Sequence, residues 1–166
     1  MRLVFWTGLW IFLLDQISKY FVVHWLGLIN DADGVIEVWP PFLEFRMAWN
    51  RGVNFGLFAN YDMRWALIVV ALLISVAVLV WLHRNSGTKW AHIAAGFLIG
   101  GALGNVVDRI FYGAVADFLN MSCCGINNPY AFNVADIAIF IGAIWLALLP
   151  EADNHKPDRK KSKKKT

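Results

Sequence analysis

The chain alternates long apolar runs with short polar breaks. Four runs, near 3–26, 64–82, 90–111 and 131–149, can each cross a hydrocarbon core about 30 Å thick, which takes roughly 20 helical residues. Between the first two the period changes. From Leu43 to Asn50, LEFRMAWN sets Leu43, Phe45, Met47 and Trp49 against Glu44, Arg46, Ala48 and Asn50. That period of two predicts a half-buried strand, opened by Pro40-Pro41 and followed by a turn at Gly52 and Gly56. A strand bare in lipid would leave backbone groups unpaired, so the segment is expected to form a small sheet resting on the outer surface. Trp39, Trp49, Tyr61 and Trp65 suit the headgroup layer. The expected fold is an all-α membrane protein with a small external β element.

Residues 84–89, RNSGTK, are a short turn between the second and third helices. In the third, Gly96, Gly100 and Gly104 recur every four residues, a small-residue stripe that lets another helix approach closely. No internal repeat stands out.

Composition agrees. The chain is 58% apolar and 16% charged, with nine Trp and a mean hydropathy of +0.51, which places it in the membrane class. Its 166 residues suit one domain. We expect a membrane-embedded unit over 1–150, with the external β element about 33–58, and a basic, disordered cytoplasmic tail over 151–166. Orientation follows from Lys and Arg in the short flanks. Arg2, then Arg84 and Lys89, then the run from Lys156 to Lys165 mark the cytoplasmic side, whereas 112–130 holds no basic residue. Four spans with both termini cytoplasmic result. The first resembles a signal peptide but is long, carries Asp15 and Lys19, and ends without a clear small-x-small cleavage site; it is read as a retained helix. The net charge of +3 comes from the tail, where it satisfies topology and touches anionic lipid. It gives no reason to expect a nucleic-acid partner.

The candidate chemistry lies in acids at span ends. Asp117 and Asp136 flank one loop without an adjacent cation in their own segments. Ionisable groups at membrane depth are costly unless paired or functional, and two carboxylates at one depth point to a shared proton. At about 1.5 Å per residue, Asp108 is roughly 27 Å along the third span and Asp136 roughly 8 Å into the fourth. Asn105, Asp108 and Arg109 fall on the last turns of helix three. Asn133 and Asp136 share a face of helix four. Asp117 is expected in a loop folding back over this layer. Asp108 and Arg109 can neutralise each other or cap backbone groups, with Arg109 also able to hold a substrate carbonyl or phosphate. Asp15 and Lys19, four apart, can pair along the first helix as structural support. Asn50 and Gly52 could present an amide and a bare backbone to an extended peptide. Cys123 and Cys124 are adjacent and lack ligand-spaced partners, so no metal is expected. H-E-x-x-H and G-x-S-x-G are absent. A transporter relay is the rival from another class, but its site would lie near the midplane on broken helices within repeats.

LLDQISKYFV, WNRGVNFGLF, GGALGNVVDRIFYGAVADF and FNVADIAIFIGA resemble, in order and spacing, the signature segments of bacterial lipoprotein signal peptidase (signal peptidase II). The resemblance runs from about residue 10 to residue 147. It implies an intramembrane aspartic endopeptidase with Asp117 and Asp136 as catalytic dyad. It implies cleavage before a diacylglyceryl-modified cysteine, four transmembrane helices, a periplasmic β-cradle, and neither metal nor cofactor. Asn50, Gly52, Asn105, Asp108, Arg109 and Asn133 match motif positions that line or shape the site, and Asp15 and Lys19 match positions that support it. Asn54 stands where small residues are common in the family, which bears on substrate preference. Expected partners are diacylglyceryl-prolipoproteins and membrane lipids, and the protein is expected to act as a monomer in the bacterial inner membrane, its site facing the periplasm.

Overall fold

The computed structural model describes residues 1–30, 34–52, 63–85, 87–123 and 128–149. Helix α1 spans Arg2–Lys19 and continues as a π-helical stretch over Tyr20–Trp25. Strands β1 (Val35–Trp39) and β2 (Leu43–Asn50) follow, then α2 (Arg64–Asn85), α3 (Lys89–Tyr112), β3 (Val115–Met121) and α4 (Val134–Leu148). Residues 53–62, including Asn54 and Gly56, lie outside the described residues, as do Cys124 and the tail from 150 onward.

The helices are inside out relative to those of a water-soluble protein. Helix α1 buries Asp15 and Lys19 while leaving Trp10 and Ile17 67% and 63% exposed. Helix α4 buries Ala135, Ala138 and Gly142 and exposes Phe140 and Leu148. Apolar surface turned outward with polar groups turned inward is stable where the surroundings are hydrocarbon. By length and composition α2 and α3 can each cross a membrane, and α4 is a shorter apolar helix.

Helix α3 is the axis, packed on α1, α2 and α4. Its glycine stripe has the packing role expected of it. A Cβ on Gly100 would collide with the backbone of Gly8, and one on Gly96 would sit 2.6 Å from Thr7 Cβ. Close approach of α1 therefore requires glycine at both positions. Thr88 starts α3 by accepting from the Ala91 amide, and Gly113, in the left-handed region at φ 75°, ends it.

The sheet has the order β1-β2-β3, all antiparallel. Strand β2 occupies the segment that the period of two marks out. Phe45 and Met47 turn toward Val22, Leu28 and Phe118, and a bulge between Phe45 and Ala48 re-aims the strand so that Ala48 faces Asp117. Asp117 thus stands on a strand paired to the sheet, not in the loop expected from sequence. The reason is that 115–121 completes the edge β2 would otherwise leave open.

Candidate active site

Helix α4 begins with a capping box. The Asn133 side-chain oxygen accepts from the Asp136 amide at 2.9 Å, and the Asp136 carboxylate accepts from the Asn133 amide at 3.2 Å. This cap does more than start a helix. Asn133 Nδ2 also donates to Asp117 Oδ1 at 2.6 Å, so one asparagine holds both Asp117 and Asp136. Asn105 on α3 donates to Asp136 Oδ1 at 2.9 Å and accepts from Asn133 Nδ2 at 3.2 Å. Asn50, at the end of β2, donates to Asp117 Oδ2 at 3.1 Å and accepts from the Gly52 amide at 3.1 Å. Gly52 has φ 150°, a conformation L side chains rarely adopt.

Asp117 is almost wholly buried, at 3% exposure. Burial pushes its carboxyl up to about 7, and the charge of Asp136 pushes the same way. The hydrogen bonds from Asn50 and Asn133 and the more distant Lys19 cation oppose the rise. Desolvation prevails because hydrogen bonds from neutral amides cannot replace the hydration of a full charge. Near neutrality Asp117 is therefore protonated in a large share of the molecules, the condition for a carboxyl to donate a proton.

Behind the pair lies a buried ion cluster. Lys19 Nζ sits 2.8 Å from Asp15 Oδ2 and 2.8 Å from Asp108 Oδ2, and 3.3 Å from Asn105 Oδ1. The expected pairing of Asp15 with Lys19 is present. Of the two roles expected for Asp108 and Arg109, mutual neutralisation is not present, since the ion partner of Asp108 is Lys19 across the α1–α3 interface, whereas contact with backbone groups is: Asp108 accepts from the Ala116 amide and Arg109 donates to the Asn105 carbonyl. Adjacent residues on a helix point about 100° apart, so Asp108 faces α1 while Arg109 turns away. Arg109 Nη1 donates to the carbonyl of Asn105 at 3.2 Å, and its buried Nε has no hydrogen-bond partner among the described residues. The guanidinium lies in the electrostatic reach of Asp136, Asp117 and Asp108.

A cavity of about 260 Å³ opens on the other side of this cluster, lined by Gln16, Lys19, Tyr20, Trp49, Asp108 and Tyr112 among others. Its lining includes the Lys19–Asp108 ion pair and Ala116, but not the Asp117 or Asp136 carboxylates.

All ten residues singled out in the sequence lie in this region: Asp117, Asp136, Asn133, Asn105 and Asn50 in one hydrogen-bonded network, Gly52 against Asn50, Arg109 beside it, and Asp15, Lys19 and Asp108 in the ion cluster. Sequence reasoning missed Gln16, whose amide donates to Asp15 Oδ2 and Asp108 Oδ1, both at 3.1 Å. A lone amide next to an acid inside an apolar run was the available signal. It also missed Asn120, fully buried and donating to the carbonyls of Asn128 and Tyr130 at 2.7 and 3.0 Å. That contact, with the Leu119–Phe132 backbone bridge, leads the chain from β3 back to the start of α4.

A family model described as signal peptidase (SPase) II matches residues 7–150. The lipoprotein signal peptidase of Methylorubrum extorquens (strain PA1) is 40% identical over 139 residues, covering 81% of this chain and 77% of that protein. The lipoprotein signal peptidase of Pseudomonas aeruginosa (strain PAO1) is 37% identical over 148 residues, covering 86% and 84%. Among solved structures, a bacterial membrane enzyme determined by the in meso method at 1.9 Å resolution superposes with a TM-score of 0.77 at 24% identity, covering 92% of this chain and 96% of its own. A second, at 2.3 Å resolution, gives 0.72 at 26% identity, covering 95% and 93%. A match across most of the chain, carried by relatives well above 30% identity, decides the matter: the chain belongs to the signal peptidase II family.

Proposed function

We propose that the protein is an intramembrane aspartic endopeptidase that removes the signal peptide from prolipoproteins, cutting before a diacylglyceryl-modified cysteine. The observation that carries this reading is Asn133, which grips Asp117 through its side chain and Asp136 through its backbone. A pair of acids so held, one of them pushed up to about 7, is suited to share a proton.

In this mechanism the ionised member of the pair takes a proton from the attacking water, and the protonated member donates to the scissile carbonyl. The tetrahedral intermediate then collapses, with a proton delivered to the departing amine. The proton belongs to the pair and not to one residue. Arg109, whose guanidinium lies within the electrostatic reach of both carboxylates, is placed to hold a substrate carbonyl. Asn50, the last residue of β2, and Gly52, two residues beyond it, present polar groups to an extended peptide.

The same reading has four transmembrane helices, α1 to α4, with both termini cytoplasmic and the three-stranded sheet as a periplasmic cradle. The catalytic unit is 1–150 and the basic tail is cytoplasmic, in a monomer of the bacterial inner membrane. The buried polar interior of α1 and its apolar exterior support that placement for a helix that carries Arg2, Asp15 and Lys19. The acyl chains of the substrate would anchor the scissile bond at the membrane surface, turning residence in lipid into effective concentration. Mass spectrometry of the products from a diacylglyceryl-modified precursor tests this: the new amino terminus is expected at the modified cysteine, and unmodified precursor is expected to resist. Cleavage at another bond, or equal cleavage of both precursors, would overturn the substrate assignment.

A further inference from the structure

Each aspartate of the proposed dyad is preceded by an alanine whose backbone N–H is held by the buried ion cluster. Ala116, before Asp117, donates to Asp108 Oδ2 at 3.2 Å. Ala135, before Asp136, donates to Asp15 Oδ1 at 2.9 Å. The two acceptors sit on different helices, α3 and α1, and Lys19 Nζ joins them at 2.8 Å to each. Asp15, Asp108, Ala116 and Ala135 are all buried.

We propose that Lys19, Asp15 and Asp108 are positioning residues that form a clamp, fixing the separation of Asp117 and Asp136 through the backbone amides of Ala116 and Ala135. This rests on the dyad reading above. The chain of contacts is Asp117–Ala116–Asp108–Lys19–Asp15–Ala135–Asp136, a loop closed on the far side by Asn133. The far side of the loop is tied by the Leu119–Phe132 bridge and Asn133, and without Lys19 the near side rests, among the described residues, on Gln16 alone. Gln16 braces the same joint by donating to both Asp15 and Asp108. Gly104 allows it, because a Cβ there would collide with the Asp15 carboxylate. Buried ion pairs add little net stability over apolar replacements of similar size. A role in geometry explains why a charged cluster occupies this place.

The test must separate the clamp from the field of its charge. The charged groups around Asp117 are Asp136 on α4, Lys19 on α1 and, facing both acids, Arg109 on α3. Lys19 favours ionised Asp117. If the cation acts by charge alone, its removal keeps the dyad's proton to higher pH, and the alkaline limb of kcat moves up. If it acts as a clamp, its removal lets the carboxylates move apart. Their repulsion then weakens, and the limb moves down.

The variant is Lys19→Met with Asp15→Asn, which leaves the net charge of the cluster unchanged and keeps an oxygen acceptor for Ala135 while severing the link. Lys19→Met with Asp108→Asn is its mirror image, used if the first does not fold. Kinetics are measured well below the melting temperature of each purified variant, beside wild type and Asp117→Asn. The expected result is a fall in kcat of roughly 10- to 100-fold, the scale of a small misplacement of reacting groups, with KM unchanged and the alkaline limb displaced to lower pH. Wild-type kcat with the limb unmoved or displaced upward would overturn the clamp while leaving the dyad intact. Full activity in Asp117→Asn would instead overturn the dyad reading itself.

Discussion

Replacing Asp117 by Asn removes a proton equilibrium whose effect on stability can be worked out in advance. Burial and the neighbouring Asp136 move the Asp117 carboxyl from 3.8 to about 7. The sign follows from proton counting. Between these values the folded protein binds a proton that the unfolded chain has released, so stability falls as pH rises. The contribution is complete below about pH 3.8 and lost once pH passes about 7. At about 1.36 kcal/mol per pH unit, the loss amounts to roughly 4 kcal/mol. Asn carries no such cost. It does place an amide where Asp117 accepts from Asn133 Nδ2 at 2.6 Å and Asn50 Nδ2 at 3.1 Å, so one of these bonds is lost at any pH, at a cost of about 1 kcal/mol. The assay is thermal unfolding of both proteins in one detergent from pH 4 to 8. Relative to wild type, the variant is expected to gain steadily with pH and to be the more stable of the two at pH 8. Other titrating groups are common to both proteins and largely cancel in the difference, which reports the proton retained by the pair. A gap that stays constant, or that narrows as pH rises, would refute the claim that Asp117 is protonated by its surroundings.

Further expectations follow from individual contacts. Asn133→Ala removes the helix cap and the grip on Asp117, so it should cost about 1 kcal/mol of stability and lower cleavage out of proportion to that loss; a stable variant with full turnover would show that the bridge is dispensable. Gly104→Ala should lower the melting temperature, since its Cβ collides with the Asp15 carboxylate and overpacking typically costs about 1–3 kcal/mol; an unchanged melt would show that the α1–α3 contact yields easily. Replacement of Cys123 and Cys124 by Ser, and treatment with EDTA, should each leave turnover intact, because the dyad mechanism uses neither thiol nor metal, and loss of activity in either case would point to different chemistry.

How much of this was legible in the sequence depends on the range of the interaction. The strand Leu43–Asn50 was, because its period of two is written in consecutive residues. So were the helices: α2, α3 and α4 fall within a few residues of the apolar runs, and their ends are set by local signals such as Thr88 and Asn133. The glycine stripe was legible as a packing surface because spacing alone places Gly96, Gly100 and Gly104 on one face. The location of Asp117 on a strand was not, since β3 exists only by pairing with β2 some seventy residues earlier, and its own apolar pattern is buried nearly throughout. Nor was the partner of Asp108. Adjacency favoured Arg109, but the bond is made across α1 and α3, at a sequence distance that no local rule reaches. The carboxylates could be found singly by their cost in an apolar run. That Ala116 and Ala135 donate backbone hydrogen bonds to two of them could not, because an alanine carries no chemical mark of what its amide does.

The most direct test of the central claim is turnover of a diacylglyceryl-modified prolipoprotein by purified wild type, Asp117→Asn and Asp136→Asn, with all three shown to be folded. Wild type is expected to release the signal peptide. Each variant is expected to lose at least the roughly 10²–10⁴-fold that acid–base catalysis contributes, since Asn keeps the shape of the side chain but cannot exchange the proton. Near-normal turnover by either folded variant would contradict the assignment of Asp117 and Asp136 as the catalytic pair.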